Sequence, residues 1–161
     1  MAKEKYPATT AIRQLKQHKV SYTPHLYTYE DKGGTKVSAK QLNVAEHQVI
    51  KTLVMEDELK QALIILMHGD YEVSTKELAR QLGAKKIAPC STQTASKHTG
   101  YQVGGTSPFG TKKALPVYIE QSIMDLDKIY INGGKRGFLV AIAPTVLTQI
   151  LQTKTVNVAI K

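Results

Sequence analysis

The sequence predicts an α+β fold: a mixed, curved β-sheet or barrel-like core with helices packed outside it. Two observations carry this. Segments with apolar residues at helical spacing are interspersed with short β-branched stretches, without a regular βαβ repeat. Beyond Gly100 the chain turns strand-rich and is punctuated by glycine turns. At 161 residues and 17.8 kDa the length suits a single domain spanning 1–161. A chain of that size buries roughly two-thirds of its unfolded surface and needs no metal or disulfide to fold.

The first helix is expected over 8–19, with Ala8, Ala11, Ile12 and Leu15 on one side and Arg13, Lys16 and Lys19 on the other. Pro7 followed by Thr9 and Thr10 supplies its start. Ser21 to Tyr29 is β-branched and aromatic, and Pro24 makes it an edge strand. Glu30 to Lys36, with Gly33-Gly34, reads as a flexible loop before a short helical stretch from Ser38 to Leu42. Lys51–Met55 and Ala62–Met67 flank a polar loop and read as a hairpin. Ser74-Thr75-Lys76-Glu77 is a capping box, in which Glu77 reaches back to the cap amide; that helix runs through Leu82 to a Gly83 stop. A small helix over 92–98 follows. Strands are then expected at Tyr101–Val103, Leu115–Ile119, Lys128–Asn132 and Phe138–Ile142. Pro144 begins a last helix, and Val156–Ile160 adds a final strand.

Composition narrows the function classes. The hydrophobic and charged shares, 42% and 22%, are those of an ordinary globular protein. Lys and Arg number 22 against 13 Asp and Glu, leaving +9, and an excess of that size on a small chain favours a polyanionic partner, nucleic acid first. A lone cysteine, Cys90, excludes an intramolecular disulfide and favours a reducing compartment. No apolar run is longer than Ala62–Met67, which falls far short of the roughly 20 residues that cross a bilayer. The chain opens on Lys3, Glu4, Lys5 and Pro7 with no apolar signal segment. These features predict a cytoplasmic protein with no membrane partner.

Two glycine clusters are the candidates for chemistry, Gly104-Gly105-Thr106-Ser107-Pro108-Phe109-Gly110 and Gly133-Gly134-Lys135-Arg136-Gly137. The first superficially mimics a phosphate loop, yet Thr111 displaces the lysine and a strand rather than a helix follows, so a Walker cradle is rejected. Glycines can instead bring backbone amides close to a ligand or a developing oxyanion; the alternative is two tight turns between strands. Lys51, at the head of an apolar strand, either points into a cleft as a fixed cation or base, or is simply solvated. Lys135-Arg136 is either an anion contact or a solvated turn. His18, His25, His47, His68 and His98 lack paired metal-ligand spacing, so no metal and no cofactor is expected. No Gly-x-Ser-x-Gly elbow occurs, and Cys90 is left open between nucleophile and packing residue.

Lys51-Thr52-Leu53, Gly100-Tyr101-x-Val103-Gly104-Gly105-x-Ser107-Pro108-x-Gly110 and Ile129-Tyr130-x-x-Gly133-Gly134-Lys135-Arg136-Gly137 together resemble the YbaK family. These are free-standing aminoacyl-tRNA deacylases related to the editing domain inserted in bacterial prolyl-tRNA synthetase. The resemblance runs from Thr10 to about Leu151. It implies a trans-editing enzyme that clears cysteine mischarged on tRNA(Pro), with Cys-tRNA(Pro) and prolyl-tRNA synthetase as the partners it suggests. The family lysine matches Lys51, the neighbouring hydroxyl Thr52, and the glycine loop Gly104, Gly105, Thr106, Ser107 and Pro108. A pocket tyrosine matches Tyr29, with Tyr27 the alternative. The implied chemistry is substrate-assisted: the cysteine thiol attacks its own ester carbonyl, yielding a thiolactone and free tRNA. Lys51 would orient the tRNA 3′ end. Amides at Gly104–Thr106 would hold the oxyanion, worth roughly 3 kcal/mol of barrier by comparison with removal of one such donor. Lys135 and Arg136 would touch RNA. An alanyl or other small-aminoacyl deacylase using water, and a non-catalytic tRNA- or synthetase-binding module, remain the alternatives.

Overall fold

The structure, a computed structural model, describes residues 5–161; Lys3 and Glu4 lie outside them. Elements follow the order α1 (Thr10–Gln17), β1 (Thr23–Leu26), α2 (Gly34–Leu42), β2 (Val49–Asp57), β3 (Ala62–His68), β4 (Glu72–Val73), α3 (Thr75–Leu82), β5 (Ile87–Pro89), α4 (Thr92–Thr99), β6 (Val117–Glu120), β7 (Ile129–Lys135), β8 (Phe138–Ile142), α5 (Thr145–Ile150), β9 (Thr153–Val156) and β10 (Ala159–Ile160). An 8-stranded mixed sheet runs β1-β8-β7-β2-β3-β6-β9, with β5 also on β2, while β4 and β10 form a small separate ribbon. The outer strands β1 and β9 do not meet, so the sheet is open rather than closed into a barrel.

Side-chain alternation sorts the core into two sides of this sheet. Ile50 and Val54 of β2, with Ile64 and Leu66 of β3, pack with Ala11 and Leu15 of α1, Ala95 of α4 and Leu147 of α5. The opposite face carries α2 over Val49, Tyr130 and Leu139, and α3 over Met55, Leu63 and Met67. Cover on both faces explains why every residue of β3 is buried and why its sequence is an unbroken apolar run rather than an alternation.

Local chemistry accounts for the element ends. Thr9 caps α1, its Oγ1 accepting from the Ile12 amide at 3.1 Å. Gly83 closes α3 in the left-handed region, at φ 73°. Pro24 sits on β1, which is an edge strand, where a missing N–H costs no ladder bond.

Several expectations are corrected. Helix α2 starts at Gly34, inside the expected loop, because burial of Ser38 and Ala39 under the sheet outweighs the glycine penalty. Tyr101–Val103 is irregular rather than a strand: Tyr101 is buried and its hydroxyl bonds the Phe109 carbonyl at 2.5 Å, making it a pillar of the glycine loop. Gly133-Gly134 does not turn the chain. A register shift between Asn132 and Lys135 absorbs both glycines as a bulge within β7, and the hairpin turns at Arg136-Gly137. The expected strand at 156–160 divides into β9 on β6 and β10 on β4. Ser74 does accept from the Glu77 amide at 3.2 Å, but the reciprocal half of the box is absent. The Ser74 N–H donates to the Val158 carbonyl, and the Glu77 carboxylate takes Arg80 and Gln81 instead.

Candidate functional site

Strand β2 is paired with β3 along nearly its whole length, but its other edge is divided between two partners. There β7 runs parallel at Val49 and Ile50, and β5 runs antiparallel at Met55–Asp57. Between them no strand among the described residues opposes β2, and a cavity of about 1040 Å³ opens over this gap. Because side chains alternate, the cavity wall takes Lys51 and Leu53 from one face of the sheet and Thr52 and Val54 from the other.

Lys51 is held by its Nζ donating to the Tyr71 carbonyl at 2.5 Å. Thr52 Oγ1 is buried and has no hydrogen-bond partner. Native proteins pair nearly all such atoms, so this hydroxyl in the cavity wall is open to a bond from a ligand or from water. Tyr27 and Tyr29 both line the cavity. They differ in what they touch: Tyr27 packs into the core under α2, whereas Tyr29 stands against the glycine loop, its hydroxyl 2.8 Å from where a Cβ on Gly104 would sit.

The glycine loop faces the cavity through Gly104 and Thr106, and their amides have no partner among the described residues. Gly105 is different. Its N–H donates to the Gln102 carbonyl at 2.8 Å, and a side chain there would lie 2.6 Å from the Arg136 nitrogen. Gly105 is thus the packing point of the loop on the β7–β8 hairpin, and its amide is spent on the turn. Ser107 and Pro108 are buried beneath the loop, with Ser107 Oγ accepting from the Phe109 amide at 3.2 Å. Of the second cluster, Arg136 lines the cavity, bonding the Val103 carbonyl through Nε at 2.8 Å and lying 4.8 Å over the Tyr29 ring. Lys135 is exposed on the hairpin and outside the cavity wall.

Sequence reasoning passed over Asn132. Its Nδ2 donates to the Gly104 carbonyl at 3.2 Å, while its Oδ1 accepts from the Gly134 and Lys135 amides at 2.7 and 3.1 Å. One side chain thus ties the two glycine clusters together. The usable signal was an Asn directly ahead of two glycines, a common arrangement for capping local backbone amides. Cys90 also lines the cavity; burial first, then the Glu56 carboxylate beside it, pushes its thiol up to about 11. No histidine stands in the cavity wall.

Behind Lys51, His47, His68 and Asp70 place ligand-type atoms within 4.8 Å of one another, a grouping that linear spacing does not reveal. It is not arranged as a ligand set. The imidazoles stack at 3.7 Å, so their in-plane lone pairs do not converge. Both nitrogens of His68 are engaged, Nδ1 with the His47 carbonyl at 2.7 Å and Nε2 with Ser122 Oγ at 2.8 Å. Burial holds the His68 pKa below its ordinary value, partly offset by the hydrogen bond to the His47 carbonyl. Tyr71 packs edge-on against both rings, and its carbonyl is the one that holds Lys51.

A family model described as the aminoacyl-tRNA editing domain matches residues 30–150, which contain this cavity's glycine loop, Lys51 and the hairpin. The chain belongs to the aminoacyl-tRNA editing family. Among curated relatives of this editing domain, EbsC of Enterococcus faecalis is 31% identical over 152 residues, covering 93% of both chains; it carries a provisional name as a Cys-tRNA(Pro)/Cys-tRNA(Cys) deacylase. Proline–tRNA ligase of Brachyspira hyodysenteriae is 26% identical over 114 residues, 71% of this chain but 19% of the ligase. A crystal structure described as a candidate trans-editing enzyme for prolyl tRNA synthetase superposes with a TM-score of 0.82 at 18% identity, covering 97% of this chain and 100% of that one. A hypothetical protein matches at 0.86, also 18% identical, covering 94% and 100%. These two share the fold. No helix among the described residues is long and apolar enough to cross a membrane.

Proposed function

We propose that this editing domain, spanning 1–161, is a trans-acting deacylase that removes cysteine from Cys-tRNA(Pro), with the substrate's own thiol as nucleophile. The observation that carries this reading is the make-up of the cavity wall. It offers Lys51, an unpartnered Thr52 hydroxyl, free loop amides and the carboxylates of Glu30 and Asp31, but no imidazole and no ionised thiol. No imidazole stands beside a candidate nucleophile there, and the Cys90 thiol has its pKa raised rather than lowered. A thiol on the substrate removes the need for one.

In this reading the cysteine sulfur attacks the ester carbonyl carbon, the C–O bond to the ribose breaks, and the thiol proton ends on the departing ribose hydroxyl. The products are a thiolactone and free tRNA. Lys51 Nζ, fixed by the Tyr71 carbonyl, orients the tRNA 3′ end. The Gly104 and Thr106 amides face the developing oxyanion, while Gly105 holds the loop against the hairpin. Tyr29 and Thr52 line the aminoacyl pocket, and Lys135 and Arg136 serve the RNA side. The name carried by EbsC supports the substrate, and likeness to part of a prolyl-tRNA ligase supports partnership with that synthetase.

Cysteine release from preformed Cys-tRNA(Pro), followed with wild type and Lys51→Ala side by side, tests the reading. The expected result is loss of at least about 100-fold in the variant, in the range seen when a positioned polar group is removed. Thiolactone should be the first product in the wild-type reaction. An unchanged rate in Lys51→Ala rejects the site. Clearance of Ala-tRNA with Cys-tRNA untouched rejects the thiol mechanism and leaves water as nucleophile.

A further inference from the structure

Strand β2 carries a stretch of main chain that no strand covers, and its chemistry specifies what fits. Odd-numbered residues of β2 turn their polar groups toward β3: Gly69 donates to the Val49 carbonyl at 2.7 Å, and the Asp57 N–H donates to the Gln61 carbonyl at 3.0 Å. Even-numbered residues therefore face the other edge, as the Val54 carbonyl does in accepting from Cys90 at 3.1 Å. The ladder to β7 ends at Ile50 and the ladder to β5 begins at Met55. Thr52 is the even-numbered residue left between them. Its N–H and C=O point into the gap, beside its own buried and partnerless Oγ1.

Polar groups of native proteins are nearly always paired, and here a main-chain donor, a main-chain acceptor and a buried hydroxyl face one cavity, so this set describes a missing partner. The missing partner is one residue long. An α-aminoacyl group has the matching pattern, an ammonium that donates and an acyl carbonyl that accepts, one residue's spacing apart. Completing a sheet edge with an outside segment is a known recognition mode, in which main-chain bonds supply affinity.

We propose that the aminoacyl moiety docks on β2 as a single surrogate strand residue, its α-ammonium donating to the Thr52 carbonyl and Oγ1 and its acyl carbonyl accepting from the Thr52 N–H. The site then reads the free α-amine of its substrate irrespective of the side chain. Acyl groups lacking that amine bind more weakly. This rests on the aminoacyl-tRNA reading above, but it concerns binding rather than turnover and can fail separately.

The test uses two stable amide analogues on a tRNA(Pro) acceptor minihelix ending in 3′-amino-3′-deoxyadenosine, one carrying cysteine and the other 3-mercaptopropionate. The second lacks only the amine and is the smaller, so steric exclusion cannot account for weaker binding. Titration calorimetry should give about 10- to 100-fold weaker binding for the mercaptopropionyl analogue, as expected for hydrogen bonds to a charged group. Thr52→Val, which is close in shape and suited to a strand, should weaken the cysteinyl analogue several-fold and leave the other unchanged. Equal affinities in wild type, binding of neither analogue, or equal weakening of both by Thr52→Val overturns the proposal. Discrimination in binding without any ester cleavage would count against the deacylase reading alone.

Discussion

Cys90 stands in the cavity wall, where a nucleophile would be looked for, and its surroundings keep it a thiol. Burial and the Glu56 carboxylate both disfavour the thiolate, raising the pKa from 9.0 to about 11. Between those two values an ordinary thiol ionises and this one does not. Below both, thiolate is roughly 100-fold scarcer than at an unperturbed site, since each pKa unit is a factor of ten. Iodoacetamide labelling at pH 8 should therefore be slow in the folded protein, rise with pH toward about 11, and become fast on unfolding in urea. Fast labelling of the native protein at pH 8 would show a usable thiolate and reopen covalent catalysis. Lys51 stood out in the sequence because a cation in an apolar run breaks the local pattern, although it is the third residue of β2 rather than its head. Asn132 was hidden because its contribution depends on a contact with Gly104 across the fold. Gly105 was legible as a required glycine, but the reason differs: close backbone packing against Arg136 uses the position, and its amide is spent on the turn.

At the scale of elements, the segments that could be read from sequence were those whose signal is local. The caps of α1 and α3, the β2–β3 hairpin and the edge proline of β1 all follow from neighbouring residues. The short strands β4 and β5 were missed because two or three residues carry no period, and they exist only through pairing with β10 and β2. That omission mattered, since β5 forms one side of the gap over which the cavity opens. Helix α3 gives a test of how far a local cap acts alone. Ser74 Oγ accepts from the Glu77 amide, while the Ser74 amide is already taken by Val158. Ser74→Ala should thus remove one cap bond and cost about 1 kcal/mol of unfolding free energy. Urea denaturation would show this as a lower midpoint at constant m-value. A change in m-value would mean instead that the β4–β10 ribbon is lost along with the cap.

For the whole molecule, the open sheet explains why one strand can serve both core and site. β2 is buried by β3 on one edge throughout, and is released on the other only where β7 and β5 part. Sequence could not supply that division, because it arises from pairings between segments far apart in the chain. The charge balance was legible from the start and acts at this same scale. A formal charge of +9 spread over the chain attracts a polyanion through the summed field rather than through one patch. Arg136 is braced on Val103 and Tyr29, whereas Lys135, its neighbour in the chain, is exposed on the hairpin. If tRNA binds there, released counterions make log K fall linearly with log salt, by about 0.7 to 0.9 per phosphate contacted. Affinity for tRNA(Pro) measured between 50 and 200 mM salt, at about 25 °C, should show such a slope, and Lys135→Ala should reduce it by about one contact. A flat response in wild type would detach the charge from RNA binding. An unchanged slope in Lys135→Ala would instead move the RNA path away from the β7–β8 hairpin.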